Sequence, residues 1–317
     1  MNKHARRIGD LTIGAQWSKW ALVSLVLAGS GCQRRKPAPV PTMKVEREPE
    51  GSYFTLKNGE RSIVQLSTFS MEETEATNTI MEKWLELMRV SERILIRRDV
   101  SGVPMIYTRD GQTLLAMLPG DGGVSLNADG HFAARPAEEN RPVRFVTWDG
   151  AQTLCKELGH RLPTEAEWQI SAQGAERRTT PWAKQDEPPK CDGVVFARLK
   201  GQQCAVARSN GLEDVGTAKQ DTTPDGIHDL AGSVAEWTYD QYVEHPNLDG
   251  LTDPVVEKTL PLSQDFRVIR GGSWTWPEQP MVTDVRRRMP RNEVRSDVGF
   301  RCVSSEAKLK IVALGGE

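Results

Sequence analysis

Apolar and polar residues alternate in the segment that begins near residue 62, and this alternation predicts short β-strands. The apolar positions of SIVQLSTFSM approximate a period of two: Ile63, Val64, Leu66, Phe69 and Met71. The next run, ATNTIMEKWLELM, changes to a period near 3.6, with Ile80, Met81, Trp84, Leu85 and Met88 on one face. Thr77 or Asn78 can cap this second run, so it predicts a helix.

The central block predicts two consecutive helices. In TWDGAQTLCKELGH the apolar positions recur at i, i+3, i+4 and i+7: Ala151, Leu154, Cys155 and Leu158. We expect Asp149 to cap this helix and Gly159 to end it. Thr164 and Glu167 have the spacing of a capping box, which predicts that a second helix begins there. Glu165 and Glu167 lie two residues apart and make a poor general acid/base pair, so RLPTEAEW indicates folding rather than catalysis.

The first 31 residues have the pattern of an export signal. Basic residues precede the apolar run at 21–29, which is too short for a membrane span of about 20 residues. Small residues lead into Cys32, and this arrangement resembles a bacterial lipobox. We therefore expect a bacterial lipoprotein that is anchored to a membrane through Cys32, in the periplasm or at the outer membrane. Ordinary signal cleavage nearby is the alternative.

Composition changes after Cys32. Residues 32–50 are rich in proline and charge, which predicts an extended tether. A globular domain is expected at 51–308, with short hairpins in a variable segment at 90–140, and a C-terminal tail is expected at 309–317. The formal net charge of −2 argues against bulk binding of nucleic acid, so no nucleic-acid partner is predicted.

The chain carries five cysteines, and export would place them in an oxidising compartment. With Cys32 set aside, four remain, and these allow two disulfides in three connectivities. Local spacing favours Cys191 with Cys204, and hence Cys155 with Cys302. The alternative is that any of the four is a buried free thiol.

Three segments together carry a family resemblance. They are GHRLPTEAEW (159–168), DGIHDLAGSVAEWTYD (225–240), and RVIRGGSW (267–274) followed by GFRCV (299–303). These segments resemble the formylglycine-generating enzymes, also called sulfatase-modifying factors. The resemblance implies a single α+β domain with much irregular structure, related to the C-type lectin fold. It also implies the Cys155–Cys302 disulfide.

The catalytic cysteines of that family are missing here. The family oxidises a cysteine of a target sulfatase with copper(I), which a cysteine pair of the enzyme holds just after the RGGSW-like strand. Those two positions are Trp276 and Met281, and no cysteine occurs between Arg267 and Arg301. Copper(I) prefers thiolate ligands. We therefore expect no copper and assign no catalytic residue.

The resemblance also implies a calcium site in the central loop. In the family this loop binds calcium through an asparagine, backbone carbonyls and a glutamate, which suits an ion that takes six to eight oxygen ligands. Here Glu236 matches the glutamate, Ser233 stands at the asparagine position, and Val234 would offer its carbonyl. In the alternative, Glu236 accepts backbone N–H bonds and organises the loop without a metal.

Two function classes remain. The first is a catalytically inactive module that binds a protein, peptide or glycan in the groove where the family receives its substrate. Its predicted contacts are Trp274, Trp276, Arg286 and Arg288. The arginines belong to DVRRRMPRNEVR, in which guanidinium groups suit an anion-binding rim, although salt bridges within the fold explain them as well. The second class is an oxidase of the formylglycine-generating type or another type, acting on exported proteins through residues other than cysteine.

Overall fold

The computed structural model describes residues 42–45, 52–55, 61–118, 122–182, 187–190, 193–197, 211–276, 283–305 and 310–312. Three α-helices lie within these residues: α1 (Asn78–Val90), α2 (Trp148–Glu157) and α3 (Glu165–Gln173). A 3₁₀ turn covers Leu262–Gln264. No helix in the described part of the chain combines the length and apolar character that a membrane span requires.

Within the described residues, sixteen short strands accompany the helices. They are β1 (Thr42–Val45), β2 (Ser52–Thr55), β3 (Arg61–Val64), β4 (Phe69–Glu72), β5 (Ile94–Arg98), β6 (Pro104–Thr108), β7 (Thr113–Ala116), β8 (Val124–Leu126), β9 (Phe132–Ala134), β10 (Ala235–Gln241), β11 (Pro254–Val256), β12 (Phe266–Arg270), β13 (Arg286–Pro290), β14 (Val298–Gly299), β15 (Val303–Ser304) and β16 (Lys310–Val312). The mixture of helices and strands confirms the predicted α+β class.

The strands form small sheets rather than one large one. The largest in the described part of the chain has the order β13-β12-β10-β14, with antiparallel pairs except for the parallel β10–β14 contact. Strands β1, β4 and β15 form a second sheet, and β5, β6 and β7 form a third. The pairs β2–β3, β8–β9 and β11–β16 complete the set. The hairpins predicted for residues 90–140 correspond to β5–β7 and β8–β9.

Helices α1 and α3 begin where the sequence predicts. The Thr77 side chain accepts a hydrogen bond from the Ile80 backbone N–H and caps α1. Thr164 caps α3 in a complete capping box: its hydroxyl accepts from the Glu167 N–H at 3.2 Å, and the Glu167 carboxylate accepts from the Thr164 N–H at 2.8 Å. Such caps typically stabilise by about 1 kcal/mol.

The cap predicted for α2 is wrong. Thr147, rather than Asp149, precedes the first helical turn, and its hydroxyl accepts a hydrogen bond from the Gly150 N–H at 3.0 Å. Asp149 lies inside the first turn, where its negative charge suits the helix dipole and its carboxylate accepts from Arg291. Gly159 follows the end of the helix with φ +78°, as predicted.

Two strands lie within the segments expected to be tether and tail. Residues Thr42–Val45 fall in the expected tether, yet they pair with β4 as strand β1. Residues Lys310–Val312 fall in the expected tail, yet they pair with β11 as strand β16. A strand joins the edge of a sheet through backbone hydrogen bonds alone, and the amino-acid composition of a segment does not predict these bonds.

The turn after β12 needs glycine for steric reasons. Gly271 has φ +79°, and a Cβ on Gly272 would lie 2.1 Å from the Ala231 carbonyl oxygen. Because only glycine permits so close an approach, the GG of RVIRGGSW brings the backbone of residues 272–276 against the loop at 229–234. This contact positions the residues that follow, including Trp276.

Candidate ligand-binding cleft

Both Glu165 and Glu167 of the RLPTEAEW motif form ion pairs within the fold. The Glu165 carboxylate accepts two hydrogen bonds from Arg286, at 2.5 and 2.8 Å, and also faces Arg270 at 3.4 Å. The Glu167 carboxylate accepts two from Arg161, at 2.6 and 2.7 Å. Both carboxylates are buried. A carboxylate held by a guanidinium is a poor general base, so this geometry favours the folding role predicted for the motif.

Glu236 lies at the centre of a second buried ion pair. Arg301 donates to both of its carboxylate oxygens at 2.7 to 3.0 Å, and the Trp168 indole N–H donates at 2.8 Å. The other Arg301 N–H groups donate to the backbone carbonyls of Glu72, Glu73 and His228. One guanidinium therefore joins β4, the 228 loop, β10 and the chain after β14.

The residues of the predicted calcium site do not fit a calcium ion. Both oxygens of Glu236 are already engaged, and an ion bound to them would lie against the Arg301 guanidinium. The Ser233 hydroxyl is a weaker ligand than the amide that it replaces, and the Ser233 carbonyl already accepts from the Trp274 N–H at 2.7 Å. The arrangement favours the alternative in which Glu236 organises the loop without a metal. Its partners, however, are Arg301 and Trp168 rather than backbone N–H groups.

Further acidic side chains are buried around Arg301. Burial raises the pKa of Glu72 to about 7 and that of Asp221 to about 8. Burial also raises the pKa of Glu75 well above its usual range and raises that of Asp229, and the neighbouring Asp229 charge adds to the effect on Glu75. Glu72 and Asp221 consequently retain protons close to neutral pH, which limits the negative charge around one guanidinium.

Trp276 fills the position at which the resemblance places the first family cysteine. Only 7% of it is exposed. Its indole N–H donates to the Asp297 carboxylate at 2.8 Å, and its carbonyl accepts from the Ala197 N–H at 2.8 Å. The Arg287 guanidinium carbon lies 3.6 Å from the ring centroid and covers the indole. A large, anchored side chain thus replaces a small thiol.

Copper(I) does not fit this position. An indole N–H donates but has no lone pair for a metal, and that of Trp276 already binds Asp297. Met281 lies outside the described residues, and a single thioether would not replace two thiolates. Among the residues that the structure describes, no group of three or more His, Cys, Asp or Glu side chains is arranged to hold a metal ion.

Two of the predicted groove contacts, Arg286 and Arg288, both lie over the Tyr242 ring. Arg286 is committed to Glu165, and Arg288 lies over the rings of Tyr242 and Phe266, on the same face of the sheet. Trp274 is half-buried and donates through its indole to the Ser296 carbonyl at 3.0 Å. Trp276, predicted as a ligand contact, packs within the hydrophobic core.

Arg287 was predicted as part of the arginine-rich segment but not among the groove contacts. It lies between Arg286 and Arg288 on β13, so strand alternation turns it to the opposite face, over Trp276. Together with Asp284, Val285 and Arg286, it lines a cavity of about 400 Å³. The cavity therefore reaches Arg287, the side chain that covers Trp276. Alternation along RRRMP is the signal that separates Arg287 from its neighbours.

The cysteines divide into one described pair and three that are not described. Cys155 and Cys302 form a disulfide in which both residues are fully buried, the pairing that the resemblance implies. It joins α2 to the chain between β14 and β15. Cys191, Cys204 and the predicted lipidation site Cys32 lie outside the described residues.

Comparison with known proteins identifies the family. The profile of the sulfatase-modifying factor enzyme 1-like domain matches residues 31–306. The formylglycine-generating enzyme of Mus musculus is 26% identical over 295 residues, covering 84% of this chain and 77% of the mouse protein. The protein of Mus musculus named inactive C-alpha-formylglycine-generating enzyme 2 is 30% identical over 176 residues, covering 53% of this chain and about half, 51%, of that relative.

A solved structure agrees with the sequence match. The structure of PvdO from Pseudomonas aeruginosa superposes with a TM-score of 0.54 at 15% identity, covering 83% of this chain and 93% of that one, which shows a shared fold. The family profile extends over most of the chain and includes the loop and strands that surround Trp276. The protein therefore belongs to the family of the sulfatase-modifying factor enzyme 1-like domain.

Proposed function

We propose that this protein is a non-catalytic member of its family that binds a peptide segment of a partner protein in the cleft beside Trp276. One observation carries the proposal: the first cysteine position holds a buried indole under Arg287, and Arg287 also lines a cavity of about 400 Å³. That the family includes a mouse protein named as inactive supports it. No arrangement among the described residues favours the alternative, an oxidase that works without cysteine.

The proposal includes export and membrane anchorage. The basic and apolar pattern of residues 1–31 and the small residues before Cys32 support a bacterial lipoprotein in the periplasm or at the outer membrane. A lipid on Cys32 would hold the domain near the membrane where exported partners pass. Mass spectrometry of the mature N-terminus tests this directly, since an unmodified or differently processed terminus would reject the anchor.

Peptide binding in the cleft is tested by filling the cleft with a large side chain. The purified full chain is applied to a surface that displays short peptides of random sequence, and we expect it to retain a reproducible subset. Val285 lines the cavity, so Val285→Trp is expected to weaken retention at least about ten-fold, because its side chain occupies the space that the ligand needs.

Val100→Trp is the matched control, because Val100 is fully exposed and lies in a different sheet region, between β5 and β6. It should bind as the unmodified protein does. Denaturant unfolding of each variant separates lost binding from lost folding. Retention of no peptide by the unmodified chain, or equal retention by a folded Val285→Trp variant, would reject the proposed cleft.

A further inference from the structure

Arg287 carries a charge that the described part of the protein does not neutralise. Its side chain is half-buried and forms no hydrogen bond or ion pair with any described residue; its described contact is the face of Trp276. Packing of a guanidinium on a ring leaves its N–H edges free to donate. A buried or half-buried charge without a partner is costly, so such a group is expected to have one in the working protein.

The neighbouring carboxylates are already committed. Asp297 accepts hydrogen bonds from Trp276, Thr275 and Arg295, all between 2.8 and 3.0 Å. Glu165, on the other face of the sheet, is held by Arg286. Burial lowers the pKa of Arg287 most, and the positive charge of Arg295 lowers it further; the Asp297 charge offsets only part of this, so the pKa stays below its usual value. The electrostatic surroundings of Arg287 therefore favour an added negative charge.

The cavity provides the space for that charge. Arg287 lies in its wall, and the volume of about 400 Å³ falls within the range of small-ligand sites. Asp284, which is exposed, lies in the same wall. The Asp284 charge acts on Arg270, and Glu165 is paired with Arg286, so Arg287 is the remaining positive charge in the wall. A monoanion would pair with Arg287 and neutralise it. A phosphate dianion would leave excess negative charge beside Asp284, so the balance favours a carboxylate.

We infer that Arg287 is the anchor for a carboxylate of the bound segment, supplied by a glutamate or aspartate side chain of the partner protein. The inference rests on the proposed peptide-binding function and names its specificity. A guanidinium fork matches the two oxygens of a carboxylate and fixes its orientation. The covered face of Trp276 holds the fork in place, so the indole acts as a support and does not itself contact the ligand.

The test compares two neighbouring arginines on one strand. Arg287→Gln removes the free charge, and Arg288→Gln removes the same charge from the adjacent position, on the opposite face over Tyr242 and Phe266. Each full chain is titrated with a retained peptide that contains one glutamate and with its glutamine twin. For the unmodified protein we expect the glutamate peptide to bind at least about ten-fold more tightly, as a charge-assisted hydrogen bond implies.

Arg287→Gln should abolish this preference, whereas Arg288→Gln should keep it. Arg287→Lys should keep part of it, because the charge remains and the fork is lost. Unfolding measurements on the variants establish that they are folded.

The outcomes separate the two proposals. If the unmodified chain retains peptides but shows no preference for the acidic member of each pair, or if folded Arg287→Gln keeps that preference, the carboxylate assignment is wrong while peptide binding stands. If the acidic peptide binds through Arg288 instead, the cavity is not the site. If no peptide is retained at all, the proposed function itself fails.

Discussion

Replacing Arg301 with methionine is expected to lower the free energy of unfolding by about 3–5 kcal/mol, measured by denaturant titration. The substitution leaves Glu236 as a buried carboxylate without its cationic partner and removes the donors from three backbone carbonyls. Breaking a buried pair costs more than the pair itself contributes, because the desolvated charge remains. Arg301 is completely buried, so solvent cannot replace it.

Two further variants serve as controls for the Arg301→Met measurement. The Arg93→Met variant breaks a surface pair with Glu157, in which the arginine side chain is 46% exposed, and should cost no more than about 1 kcal/mol. The double variant Glu236→Met with Arg301→Met should be less destabilised than Arg301→Met alone, since no unpaired charge remains. An Arg301→Met protein within about 1 kcal/mol of the unmodified one would contradict this account of the core.

Removing the Cys155–Cys302 disulfide, by changing both residues to alanine, is the second large expected effect. The bond closes a sequence separation of 147 residues. The chain-entropy model gives about 5 kcal/mol for a loop of this length, and measured values are often lower. We therefore expect a loss of roughly 2–5 kcal/mol in the free energy of unfolding, with the fold retained if the protein starts with the usual margin.

The control for the disulfide is the same double variant in the presence of a reductant strong enough to open disulfides in the unfolded chain. Reduction should lower the unfolding free energy of the unmodified protein towards that of the variant. Reduction should change the unfolding free energy of the double variant less. If the variant is as stable as the unmodified, oxidised protein, the bond does not contribute to stability as proposed.

Local signals allowed the helices and the main strands to be predicted. The apolar spacing of residues 80–88, the capping box at Thr164 and the strand FRVIR all depend on neighbours within a few positions. The cap of α2 was mispredicted because Thr147, which lies two residues before Asp149, provides the capping hydroxyl. The choice depends on Arg291, which is distant in sequence and takes the carboxylate.

The site was harder to predict because its contacts join distant segments. The pairing of Glu236 with Arg301 spans 65 residues of sequence, and nothing local distinguishes it from a calcium ligand. Likewise, Arg286, Arg287 and Arg288 read as one basic run. Strand alternation places Arg287 on one face of the sheet and its two neighbours on the other. Arg286 then pairs with Glu165, Arg287 covers Trp276, and Arg288 lies over Phe266.

The central claim is that the family fold is retained here without the family oxidation. The most direct measurement incubates the full chain with copper(I), oxygen and a sulfatase-type peptide that contains the target cysteine, followed by mass spectrometry of the peptide. An active formylglycine-generating enzyme serves as the positive control. We predict that the cysteine stays unchanged with this chain at every copper concentration at which the control enzyme works. Conversion of that cysteine to the aldehyde, dependent on the chain, would contradict the account.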